Sequence, residues 1–155
     1  MQHPGVAFPP PILFVIGVIC GWLLNRLLPL PISEGGLSRS ALILFGWSAV
    51  VIGLGVLAWA LLTFWRARTA IYPNQPARTI VAHGPYRYSR NPMYVALAML
   101  MAGVGVLLNS MWVLALIPVV LMALTVFVIR REEAYLSSAF GDNYAAYRAQ
   151  VRRWL

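Results

Sequence analysis

The chain has 155 residues, of which 61% are hydrophobic and only 10% charged, far below the roughly 25% charged residues of soluble domains. That balance excludes an ordinary soluble enzyme and predicts an integral membrane protein. The net charge of +8 comes from twelve arginines and no lysine, and these flank apolar stretches with no soluble domain to present them, which also excludes a nucleic-acid-binding role.

Four apolar stretches approach or exceed the roughly 20 residues that a bilayer-spanning helix needs. The first, from Pro11 to about Leu28, is broken only by Asn25 and Arg26. It lacks a preceding Lys or Arg and a small-x-small cleavage pattern, so it is expected to stay in the mature protein. Its Cys20, the single cysteine, excludes an internal disulfide or a cysteine metal cluster and reads as a packing residue. His3 and His83 lack carboxylate company, so no metal site is expected.

The second stretch, Ala41 to Trp65, carries no charge. Its Gly53-x-Gly55 pair, like Gly103-x-Gly105 further on, lies inside an apolar helix, where small residues let helices approach closely rather than cradle a nucleotide. Residues 1–65 thus read as a helical hairpin with almost no chemistry, and residues 66–155 as the functional half of a single membrane domain.

Between the second and third stretches lies His83-Gly84-Pro85-Tyr86-Arg87-Tyr88-Ser89-Arg90-Asn91-Pro92-Met93-Tyr94. A mere connector does not need two Pro, three Tyr, two Arg, a His and an Asn, so this segment reads as a site. Pro92 suits the first turn of a helix, with Asn91 as its cap and Tyr94 pointing back toward Tyr86 and Asn91. The third and fourth stretches, Met93–Leu108 and Met111–Ile129, form a hairpin about Asn109-Ser110. The expected fold is therefore all-α: four transmembrane helices, a cytoplasmic cofactor-binding loop and amphipathic C-terminal helices.

Ten arginines fall in two regions: Arg66, Arg68, Arg78, Arg87 and Arg90 in one, Arg130, Arg131, Arg148, Arg152 and Arg153 in the other. The positive-inside rule puts both regions, and with four helices both termini, in the cytoplasm of a multi-pass protein of the cell membrane. Singly, most of these arginines, Arg153 among them, need no role beyond orientation and headgroup contact. After Arg130, apolar residues recur every three or four positions as far as Trp154. This predicts one helix to about Phe140 and an interfacial one from Asp142, its cap. Glu132 and Glu133, at the mouth of the fourth helix, are costly there unless paired or used for a ligand.

Arg78-Thr79-Ile80-Val81, Gly84-Pro85-Tyr86, Arg90-Asn91-Pro92-Met93-Tyr94, Glu132-Glu133-x-x-Leu136 and Phe140-Gly141-x-x-Tyr144-x-x-Tyr147 occur in that order. Together they resemble the isoprenylcysteine carboxyl methyltransferase family and its bacterial and phospholipid methyltransferase relatives, over about residues 70–152. The resemblance implies methyl transfer from S-adenosylmethionine to a lipophilic acceptor that arrives from the bilayer: a lipid, a prenylated cysteine or a small molecule. It also implies a cofactor shell of Arg78, Thr79, Ile80, Val81, Tyr86, Asn91, Pro92, Met93, Tyr94 and Glu132. On the acceptor side, Arg130 or Arg131 suits a carboxylate and Glu133 an amine. Such a pocket needs a cation or amide donor for the cofactor carboxylate, a carboxylate for its ammonium, and aromatic faces tolerant of the sulfonium.

Two departures stand out. Many members of the family have His where this chain has Asn91, which argues against an obligatory acid-base role there. The family's substrate-side Arg aligns nearer Val128 than Arg130. Two rivals use the same residues differently: an NADPH-dependent membrane reductase, and a non-catalytic membrane subunit that docks through its Arg loop.

Overall fold

Prolines open two of the helices, at positions where a missing N–H costs nothing. Helix α1 spans Pro11–Leu27 and α3 spans Pro92–Leu107. The structure, a computed structural model, describes residues 9–34, 38–68 and 79–155. Helix α2, Arg39–Arg66, starts at Ser38, whose hydroxyl accepts from the Ala41 amide at 3.2 Å. Helix α4, Met111–Leu124, runs through a π-helical turn, Thr125–Ile129, straight into α5, Arg130–Phe140. Gly141, at φ +51°, ends α5, a conformation that glycine adopts without a Cβ penalty, and α6 follows over Asp142–Gln150.

Among the described residues, two helical segments are long and apolar enough to cross a bilayer: Arg39–Arg66 and the continuous α4–α5 unit Met111–Phe140. Helices α1 and α3 are apolar but shorter, at 17 and 16 residues, or about 25 Å each at a rise of 1.5 Å per residue. Four spans were expected, and by length the structure supports two. Helix α2 exposes Leu44, Phe45, Val51 and Trp65, a surface that water would penalise and hydrocarbon would not.

Packing crosses between the two halves of the chain, with α2 lying chiefly on α3 and α1 on α4. Glycines make these approaches possible. A Cβ on Gly103 would stand 2.8 Å from the Gly46 carbonyl oxygen, and one on Gly21 would stand 2.8 Å from the Val113 backbone. Gly53 faces Leu100 and Ala96 and Gly105 faces Val113 and Leu114, as their small size suggests, whereas a Cβ on Gly55 would meet no described residue within 4 Å. The main core joins Phe14 of α1, Met101 of α3 and the stripe Val113, Val120, Leu124 and Val128.

At one end of the bundle, Asn109, at φ +48°, turns α3 into α4. Its side-chain oxygen accepts from the Ile32 and Ser33 amides at 3.0 and 3.1 Å, so the reversal also fastens the loop after α1. The opposite end carries the polar segment, α5 and α6. Two caps differ from expectation there. Asp142 is the first residue of α6, with Gly141 in the cap position, and Asn91 precedes α3 without a side-chain cap bond, its Nδ2 donating instead to the Arg153 carbonyl.

Candidate functional site

Gly84 opens the site. It lies at φ +61°, and a Cβ there would meet the Thr63 hydroxyl at 2.8 Å, so only glycine lets the chain fold this tightly over α2. Gly84–Arg87 forms one 3₁₀ turn, which buries Pro85 and Tyr86. The Tyr86 ring packs on Phe64, with centroids 4.8 Å apart, in a small cluster with Ala60 and Val81 that Met93 flanks. Burial, then Tyr147 and then Glu132 push the Tyr86 phenol up, so it stays protonated and able to donate.

Tyr94 belongs to the other cluster. On the first turn of α3 it packs against the main core, and its hydroxyl donates to Glu132 Oε1 at 2.9 Å. Glu132 continues the buried stripe of α4 at a spacing of four from Leu124 and Val128, carried past the π-helical turn. Insertions of this kind re-aim the residues that follow and are frequent at functional sites. Here the turn begins at Thr125, whose hydroxyl donates back to the Leu121 carbonyl at 2.7 Å.

Glu133 has a different environment. One carboxylate oxygen lies 3.0 Å from Arg90 Nη1, and Arg153 grips both oxygens, through Nε at 3.0 Å and Nη2 at 2.7 Å. The Arg90 side chain is only 10% exposed, and among the described residues its buried Nε has no partner. Arg90 Nη1 also donates weakly to the Tyr144 hydroxyl at 3.4 Å. The Glu133 hydrogen bonds hold the Arg153 guanidinium above its ordinary pKa. The reading of Arg153 as a headgroup arginine is corrected: two hydrogen bonds tie it to Glu133, with 34% of its side chain still exposed.

The C-terminal residues reinforce this arrangement. The Arg90 amide donates to the Arg152 carbonyl at 2.9 Å, and Asn91 Nδ2 donates to the Arg153 carbonyl at 2.9 Å. The Ser89 hydroxyl lies 3.3 Å from that same carbonyl, while Trp154 packs against the main core. From α6, the Tyr147 hydroxyl donates to the Tyr86 carbonyl at 2.7 Å. Burial, then Tyr144, raise the Tyr147 pKa, with Arg90 opposing, so that donor too stays protonated.

The sequence-predicted residues therefore divide. Val81, Tyr86 and Met93 share one cluster, Tyr94 and Glu132 share a hydrogen bond, and Pro92 is buried in the first turn between them. Ile80 is half-buried and Thr79 exposed, Arg130 and Arg131 lie exposed at the start of α5, and Arg78 falls outside the described residues. The sequence reading placed Ser89 and Arg90 inside the site segment without giving either a role of its own, and it left Arg153 out of the site. The signal for Arg90 was its place inside the motif, but nothing in the sequence marked Arg153. Also unforeseen is an open groove of about 480 Å³ at the α5–α6 elbow, lined by Ser137, Gly141, Tyr144, Ala145, Arg148 and Ala149.

Residues 41–143 match the family model for phospholipid methyltransferase. The chain is 33% identical over 101 residues to cobalt-zinc-cadmium resistance protein CzcN of Cupriavidus metallidurans, covering 64% of this chain and 46% of that protein. It is 39% identical over 72 residues to protein-S-isoprenylcysteine O-methyltransferase of Schizosaccharomyces pombe, covering 46% of this chain and 30% of the other. An uncharacterised protein of Haemophilus influenzae is 41% identical over 64 residues, 41% of this chain and 100% of its own length. The matched region thus spans less than half the length of the first two relatives.

Proposed function

The chain belongs to the phospholipid methyltransferase family, and from that premise we propose that it transfers a methyl group from S-adenosylmethionine to a lipophilic acceptor at the membrane. The observation that carries this reading is the Tyr94–Glu132 hydrogen bond, which joins two of the five motif blocks of the resemblance into one half-buried acidic and aromatic wall.

The donor set fits the cofactor. Glu132 offers a carboxylate to an ammonium, and Arg90, whose buried Nε has no partner among the described residues, offers a donor to a carboxylate. Tyr86 and Tyr94 supply ring faces that tolerate positive charge, with Val81 and Met93 as apolar lining. In this scheme Arg90 takes the carboxylate-binding part that the motif alone left to Arg78 or Asn91. When bound, S-adenosylmethionine supplies a methyl already activated by its sulfonium. The residues of the chain therefore bind, orient and exclude water, and no protein nucleophile is needed.

Arg130 and Arg131 stand at the junction of the apolar helix and the polar end, where they would meet an anionic acceptor entering from the bilayer. Glu133, already held by two arginines, suits an amine acceptor poorly, and its proposed part is structural. We place four membrane-crossing helices in this scheme, α1 and α3 with small mismatch, and both termini with the site in the cytoplasm. Calorimetry on the detergent-purified protein with S-adenosylhomocysteine and with NADPH separates this reading from the reductase and from a non-catalytic subunit. Saturable binding of the first alone is expected.

A further inference from the structure

We propose that Val151–Trp154 is a strap that sets the geometry of the site, with Asn91 and Arg153 as its positioning residues. This rests on the site assigned above but concerns residues that the methyl-donor reading does not itself require. After α6 ends at Gln150 the chain turns to an extended conformation at Val151, which is buried, and runs beside the motif.

Three donors of the motif converge on two strap carbonyls. The Arg90 amide reaches Arg152 O, while Asn91 Nδ2 and the Ser89 hydroxyl reach Arg153 O. The strap answers with its own side chain, for Arg153 grips Glu133 through two hydrogen bonds, and Glu133 in turn holds Arg90 Nη1 at 3.0 Å. Trp154 anchors the far end in the main core.

The strap therefore closes a circuit of loop, strap and α5 around two neighbouring carboxylates with different duties. Glu133 is immobilised by two guanidiniums. Its neighbour Glu132 is then fixed in register on the same helix, facing Tyr94. Arg90 is held through Nη1, and among the described residues its Nε has no partner. The departure at Asn91 gains a physical reason: what this position supplies is an N–H toward a carbonyl, which an imidazole N–H can also supply, and not a titrating group.

The test uses the full chain in detergent with S-adenosylhomocysteine as probe. Hydrogen–deuterium exchange of the 86–94 segment is measured without ligand, and affinity by calorimetry, for Arg153→Ala, Arg153→Lys, Asn91→Asp and Arg152→Ala. Asn91→Asp is nearly isosteric and exchanges the Nδ2 donor for a carboxylate oxygen that repels the Arg153 carbonyl, so it carries the test if Arg153→Ala does not fold. The strap predicts exchange at least fivefold faster and affinity at least tenfold weaker for Arg153→Ala and Asn91→Asp, at unchanged helix content. Arg153→Lys should recover part of the affinity, and Arg152→Ala, which removes an exposed side chain but keeps its carbonyl, should match the wild type. Unchanged exchange, or faster exchange with unchanged affinity, overturns the proposal. If the wild type binds no S-adenosylhomocysteine, the methyl-donor reading falls and the exchange comparison alone decides the strap.

Discussion

Tyr94 and Glu132, 38 positions apart, are joined by a 2.9 Å hydrogen bond from phenol to carboxylate. One residue stands in the first turn of α3 and the other just past the apolar length of α4, so the bond ties the two helices together at the polar end of the bundle. Among the described residues both ion pairs go to Glu133 instead, which leaves Glu132 as the carboxylate not committed to an arginine.

Glu132→Gln should therefore weaken S-adenosylhomocysteine binding by about 1.5–3 kcal/mol, the worth of a charge-assisted hydrogen bond, or roughly ten- to a hundredfold in Kd. Arg152→Gln is the matched control, because its side chain is exposed. Equal affinities in the two variants would move Glu132 out of the cofactor site.

Tyr94→Phe keeps the ring against the main core and removes only the donor to Glu132. The expected outcome is a nearly unchanged unfolding temperature with weaker cofactor binding. An interfacial belt tyrosine would show normal affinity. Tyr94→Ala should lose both affinity and stability, since truncating a packed aromatic leaves a cavity.

Much of the fold was legible because it rests on apolar run length. The bounds of α1, α2 and α3 follow from Pro11, the uncharged Ala41–Trp65 run and Pro92. The shortness of α1 and α3 was visible in the same counting, yet four spans were expected. The pairing of Glu133 was open in the sequence and was settled by Arg90 and Arg153, 43 and 20 residues away. Contacts of that kind have no local signature. The π-helical turn was illegible for a related reason, since Thr125–Ile129 reads as ordinary apolar helix and only tertiary packing reveals the added residue.

Helix contact gives a prediction independent of any ligand. Gly103→Ala should destabilise the protein by about 1–3 kcal/mol, because the new methyl would meet the Gly46 carbonyl and Val50 Cγ2, both at 2.8 Å. Gly55→Ala, with open space at its Cβ, should be neutral or stabilising through helix propensity. Thermal unfolding in one detergent ranks the two variants, and equal midpoints would contradict the close α2–α3 approach.

The proposed topology predicts that Asn109→Cys, in a Cys20→Ala background, is labelled by an impermeant maleimide only from the non-cytoplasmic side. Because Asn109 fastens the backbone of Ile32 and Ser33, a Ser33→Cys variant should behave alike. Labelling of either from the cytoplasm would reverse the orientation.

This polar end is proposed as a methyl-donor site. Its most direct test is titration of the detergent-purified wild type with S-adenosylhomocysteine, beside Glu132→Gln and with NADPH as competitor. Saturable binding at one site per chain is expected, weakened at least tenfold by Glu132→Gln and unaffected by NADPH. Saturable NADPH binding, or no binding of S-adenosylhomocysteine by well-folded protein, would contradict it.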